Sequence, residues 1–127
     1  MQNRVTFEYA IIRVVPKVER EEFFNVGVIL FSKRKRFLGI KYHINPDKLK
    51  AFSKDADLES LESYLDAWWL ICEGGSKGGR IGEMERSDRF RWLAACRSTI
   101  IQSSKTHPGI GIDPEKELQD IFEKYVL

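Results

Sequence analysis

The first constellation of side chains suited to chemistry is Arg13, Glu19, Arg20, Glu22 and Asn25. Arg13 sits within the apolar run FEYAIIRVV, and the others follow in the connection to the next apolar run. An arginine inside an apolar strand is costly unless a carboxylate meets it, so the sequence predicts that Arg13 pairs with an acid from this connection. As a site, the cluster would be a polar pocket at a sheet end, where Arg13 or Arg20 holds an anion and Glu19 or Glu22 moves a proton. A buried ion pair that only fixes the hairpin explains the same residues more simply, because structural networks imitate sites. A second cluster, Arg97, Ser98, Thr99 and Gln102, falls where a helical pattern gives way to a strand, a junction at which side chains can face a cleft. An arginine in a last helical turn also simply complements the helix dipole. The clusters form one pocket only if the fold brings Arg13, Glu22 and Asn25 beside Arg97, Ser98 and Gln102.

The remaining candidates are weaker. His43 and His107 stand at unrelated positions without H-E-x-x-H or a carboxylate spacing, so neither a metal nor a general-base role is supported. In GGSKGG, Gly74 to Gly79, Lys77 precedes the second glycine pair, whereas a phosphate cradle needs lysine and a hydroxyl after it; the segment reads as a mobile surface loop. Lys33, Arg34, Lys35 and Arg36, with Arg86, Arg89 and Arg91 around Phe90 and Trp92, have the makings of a basic surface with aromatic faces for nucleic acid. A solvated hairpin tip and a helix with core aromatics is the plainer reading. Trp68 and Trp69 cannot both lie on one helical stripe, so one of them is expected at the surface as a candidate protein interface.

The elements that must position these residues are legible from periodicity. Phe7 to Val15 is a β-branched and aromatic run stopped by Pro16, and reads as a strand. Phe24 to Ser32 is apolar at both parities, so this second strand is central and covered on both faces. Phe37 to Ile44 alternates and is half exposed, and the short connections make the three strands an antiparallel meander. Asn45-Pro46 opens a short helix and Asp57 caps a longer one with Leu58, Leu61, Leu65 and Cys72 on its stripe, ended by Gly74-Gly75. Ser87 is expected to cap a helix through about Cys96, and Ser98 to Ser104 a fourth strand before a turn at His107-Pro108-Gly109. Asp113-Pro114 opens a terminal helix. The expected class is α+β, an antiparallel sheet of about four strands with amphipathic helices on one face, a two-layer sandwich.

At 127 residues the chain fits a single globular domain spanning 1–127. With 21 basic against 19 acidic residues the net charge is only +2, so no whole-molecule field draws nucleic acid and any such binding must be local. Cys72 and Cys96 stand outside any C-x-x-C pair, which disfavours zinc and disulfides and favours buried, reduced thiols. No apolar run is long enough to cross a bilayer, and the expected location is cytoplasmic.

The opening FEYAIIRVVPKVEREEFFNVGVILF, the segment RFRWLAACRSTIIQSSKTHPG and the ending DPEKELQDIFEKYV together resemble a bacterial family known as domain of unknown function 3037. The likeness lies in the aromatic before Tyr9-Ala10, Arg13 ahead of Val15-Pro16, the acidic-basic connection, Asn25-Val26-Gly27-Val28 and the later RFxWL, RSTxIQ and HxG motifs. The family has no established chemistry. Its genes often neighbour those of HipA-like kinases, a toxin-antitoxin-like setting, so the resemblance implies a protein partner. Taken together, the residues favour a non-catalytic interaction or regulatory module without cofactor or metal. A small anion- or nucleotide-binding enzyme is the alternative and a nucleic-acid binder the weaker one; homo-oligomerisation stays open.

Overall fold

A computed structural model describes residues 4–15, 22–96 and 100–127. Its sheet begins with β1 (Val5–Val14), β2 (Phe24–Ser32) and β3 (Phe37–Tyr42), paired antiparallel in sequence order as expected. The other flank of β1 carries two short strands, β4 (Ile101–Ser103) and β5 (His107–Gly111), both antiparallel to it. They act as one interrupted strand. At the break Ser104 keeps the ladder satisfied, its hydroxyl accepting from the Ile11 N–H at 2.9 Å and its own N–H donating to the Ile11 carbonyl at 2.8 Å. The expected turn at His107-Pro108-Gly109 is therefore a strand; Gly109 is tolerated in it because the Phe7 ring occupies the space where a Cβ would sit.

The helices are α1 (Pro46–Phe52), α2 (Leu58–Glu73), α3 (Gly79–Gly82), α4 (Arg86–Ala94) and α5 (Pro114–Tyr125). Asn45, Asp57 and Asp113 cap α1, α2 and α5 through side-chain oxygens that accept first-turn N–H groups. Two expectations fail locally. The glycine-rich segment is a 3-10 turn (Ser76–Gly78) running into α3, tied down by the Gly75 N–H donating to the Gly82 carbonyl at 2.7 Å. At α4 the N-cap is Glu85, with no side-chain capping bond, so Ser87 is already inside the helix.

A β-bulge decides which side chains face which layer. The β1–β2 register slips between Ile12 and Arg13, so Val26 is the extra residue and parity flips along β2. Phe24 and the bulged Val26, with Ile29 and Phe31 beyond it, thus share a face with Ala10, Ile12 and Val14. That face is covered by α1, α2 and α4 through Leu49, Leu61, Leu65, Trp68, Phe90 and Leu93, with Phe31 stacked on Phe90 at 5.5 Å. Phe7, Val28 and Leu30 point the other way and are buried under Leu118 and Phe122 of α5. The α+β class and the antiparallel sheet are as expected. Among the described residues the sheet has five strands, and α5 adds a third layer to the expected two because β2 carries apolar residues on both faces.

Candidate functional site

Arg13 lies at the bulge on the α5 side of the sheet, half-buried, between Asn25 of β2 and Gln102 of β4. Three members of the expected polar pocket therefore share one row across three strands. The expected carboxylate partner is not what holds Arg13 among the described residues. Its guanidinium carbon sits 4.3 Å from the centroid of the Phe23 ring, and its Nε is buried without a hydrogen bond. The aromatic face of Phe23 suits a partly exposed guanidinium that keeps its charge, and the Glu19 side of the expected pairing lies outside the described residues. Asn25 is used structurally: its amide donates to the Tyr125 carbonyl at 3.1 Å and ties down the end of α5. Glu22 is exposed just ahead of β2. Glu19, Arg20, Arg97, Ser98 and Thr99 lie outside the described residues.

Both histidines have modest surroundings. His107 packs against Tyr9 with ring centroids 5.3 Å apart, and His43 is exposed after β3. Among the described residues no three His, Cys, Asp or Glu gather as metal ligands. Cys72 is buried in the helix-side core, where desolvation pushes its thiol up to about 12, so it is not an activated nucleophile; Cys96 is only half-buried. No helix among the described residues is long and apolar enough to cross a membrane.

Two surfaces gather what the sequence left scattered. The first is the outer edge of β3, which pairs with no other strand among the described residues. The His43 N–H donates to the Val26 carbonyl at 2.7 Å, and the alternation of an antiparallel ladder turns Lys41, Gly39 and Phe37 the same way. The backbone groups of Leu38, Ile40 and Tyr42 consequently point outward. Those of Leu38 and Ile40 open into a groove of about 370 Å³ between α2 and α5, walled by Trp69 and Glu73 on one side and Glu115 and Leu118 on the other, with Lys41 along the strand. Trp68 is buried at 2% exposure while Trp69 is 44% exposed, so the adjacent tryptophans divide as their helical spacing requires. The Tyr42 hydroxyl donates to Asp66 at 2.5 Å and pins the end of β3 to α2. Burial first, and then that hydrogen bond, raises the phenol above its ordinary value.

The second surface is a cleft of about 310 Å³ where the β2–β3 turn meets the start of α4, lined by Phe31, Lys33, Arg36, Arg86, Ser87 and Arg89 with Glu85 on its rim. The turn is closed by the Arg36 N–H donating to the Lys33 carbonyl at 3.2 Å, with Arg36 in the left-handed region at φ 52°. Arg89 is not the surface cation the sequence suggests. At 8% exposure it runs under α4 to the end of α2, donating from Nη1 to the carbonyls of Ile71 and Cys72 at 2.9 Å each and from Nε to the Met84 carbonyl at 2.9 Å. The signal for this role was α2 itself, whose last turn holds no basic residue to satisfy its final carbonyls. Arg91 forms a two-pronged pair with Glu8 of β1 at 2.7 and 3.1 Å.

The model of a family described as protein of unknown function (DUF3037) matches residues 9–126. The chain belongs to that family. No curated protein and no solved structure matches this DUF3037 chain. The family fixes the extent of the likeness, and what the chain does must be read from the β3 edge and the basic cleft.

Proposed function

We propose that this DUF3037 protein is a non-catalytic interaction module that holds an extended, basic segment of a partner protein along the outer edge of β3. The observation that carries the reading is the outward row of backbone N–H and C=O groups at Leu38, Ile40 and Tyr42, of which Leu38 and Ile40 lie at the floor of a groove. Strand addition draws affinity from those main-chain groups and specificity from the side chains around them. Trp69 offers a broad apolar wall of the kind that dominates interfaces. The other sheet edge is a poorer template, because it is broken at Ser104 and Pro108 removes a donor.

Charge selects the occupant. α2 presents Glu59, Glu62, Asp66 and Glu73 and no basic residue, and α5 presents Glu115, Glu117, Asp120 and Glu123 against Lys116 and Lys124. A strand carrying lysine or arginine between apolar residues fits that setting, whereas a second copy would bring acidic helices together. A HipA-like kinase, which the family resemblance brings forward, is the first partner to test, in a bacterial cytoplasm.

The test is titration of the protein with an alternating Val/Lys heptapeptide and with its Val/Glu counterpart, in the unaltered chain and in Trp69→Ala and Glu73→Lys/Glu115→Lys variants. The reading expects saturable binding of the lysine peptide alone, weakened about tenfold or more by either variant. Equal binding of both peptides, or binding indifferent to both variants, contradicts it; self-association lost in the same variants would assign the edge to a second copy.

A further inference from the structure

The cleft between the β2–β3 turn and α4 is independent of the β3 groove, and its chemistry is of the opposite sign. Lys33, Arg36 and Arg86 are exposed, line the same space, and have no ion pair or hydrogen bond from their side chains to the described residues. Arg91, one turn along, is by contrast neutralised by Glu8. Three solvated cations held close together repel one another, and only Glu85 offsets them within the cleft.

The floor supplies donors that are already fixed. Arg89 is more than nine-tenths buried and directs Nε and Nη1 to carbonyls, which leaves its Nη2 without a hydrogen-bond partner among the described residues. The first turn of α4 begins here with no side-chain cap, so the N–H groups that open the helix, and the Ser87 hydroxyl beside them, are unclaimed by any cap. A helix N-terminus, a rigid arginine and three mobile cations around one space of about 310 Å³ make a site for a compact, multiply charged anion.

We infer that this cleft binds a phosphate monoester, with Arg86 and Arg36 as its forked donors, Lys33 as a point charge, and the buried Arg89 with the α4 N-terminus as its base. A small phosphorylated ligand fits better than a nucleic-acid strand. The acidic α2 and α5 leave no continuous basic track for a chain of phosphates among the described residues.

The experiment is calorimetric titration at constant ionic strength with inorganic phosphate, with a nucleoside 5′-monophosphate and with a short single-stranded oligonucleotide. Inorganic phosphate and the monophosphate are expected to bind at one saturable site, weakened about tenfold in Arg86→Gln and in Lys33→Gln. Arg34→Gln and Lys35→Gln, on the same turn but outside the cleft, should leave affinity within about twofold. Equal losses in all four variants would reduce the site to diffuse charge and overturn the inference, as would binding of the oligonucleotide alone or of no phosphate at all. Trp69→Ala should bind phosphate normally, so failure at this cleft and failure at the β3 edge are told apart.

Discussion

Arg89 reaches from α4 to the carbonyl of Cys72, 2.9 Å away, and the same nitrogen serves the carbonyl of Ile71. The C-terminal end of α2 is thus closed by a charge from another helix, and Gly74 is where the arrangement is tightest. At φ 86° it needs glycine, and a Cβ there would stand 2.7 Å from Arg89 Nη1. Arg89→Leu should cost about 3 kcal/mol in urea unfolding, because the buried carbonyls of Ile71 and Cys72 and the partly buried one of Met84 lose a charged donor. Gly74→Ala should cost at least about 1 kcal/mol from the backbone conformation alone. A neutral Arg89→Leu would show that the carbonyls find water instead.

The two tryptophans separate stability from recognition. Trp68→Ala removes a buried aromatic from the helix-side core and should cost about 4 kcal/mol, whereas Trp69→Ala should change unfolding free energy by less than about 1 kcal/mol. Denaturant melts of the two variants check the pair.

The third layer makes its own demand. Leu118 is buried against Val28 and Leu30 on the α5 side of the sheet. Leu118→Ala should destabilise by about 3 kcal/mol, a core-sized loss that a peripheral terminal helix would not give.

Stability should fall at alkaline pH. The Cys72 thiol is raised by burial from 9.0 to about 12, and the Tyr42 phenol is raised above 10.0 by burial and the Asp66 hydrogen bond. Both groups hold their protons more tightly in the folded state. Their contribution is complete below pH 9 for the thiol and below pH 10 for the phenol, and is lost as pH climbs from there toward the folded values. Urea midpoints should be flat from roughly pH 6 to 8 and decline above 9, more shallowly in Cys72→Ala and Tyr42→Phe. Equal slopes in all three proteins would remove these groups as the cause.

The readable part of the fold was the part written in local chemistry. Asn45, Asp57 and Asp113 announce their helices by capping, and the doubly apolar Phe24–Ser32 announces a covered central strand. The same doubly apolar pattern hides the bulge at Val26, since a parity flip changes nothing when both parities are apolar. It also hides which face α5 takes, because its stripe calls for burial without saying where. His107, Pro108 and Gly109 look like a turn, and only the partner β1 makes them strand. As for the site, the basic residues at 33–36 and 86–91 were visible as charges, but their meeting at one cleft, and the withdrawal of Arg89 beneath it, depend on contacts distant in sequence. Whether Arg13 and Asn25 meet Gln102 was left open by the sequence, because their row is set by pairing across strands distant in the chain, and the aromatic partner Phe23 gave no signal.

The central claim rests on three backbone amides. Hydrogen exchange at Leu38, Ile40 and Tyr42, followed by NMR with and without the Val/Lys heptapeptide, measures the edge directly. The account predicts that these amides exchange faster than those of Phe37, Gly39 and Lys41 in the free protein and slow at least about tenfold when the peptide is bound. Equal protection of both sets in the free protein, or bound peptide that leaves Leu38, Ile40 and Tyr42 unchanged, would contradict it.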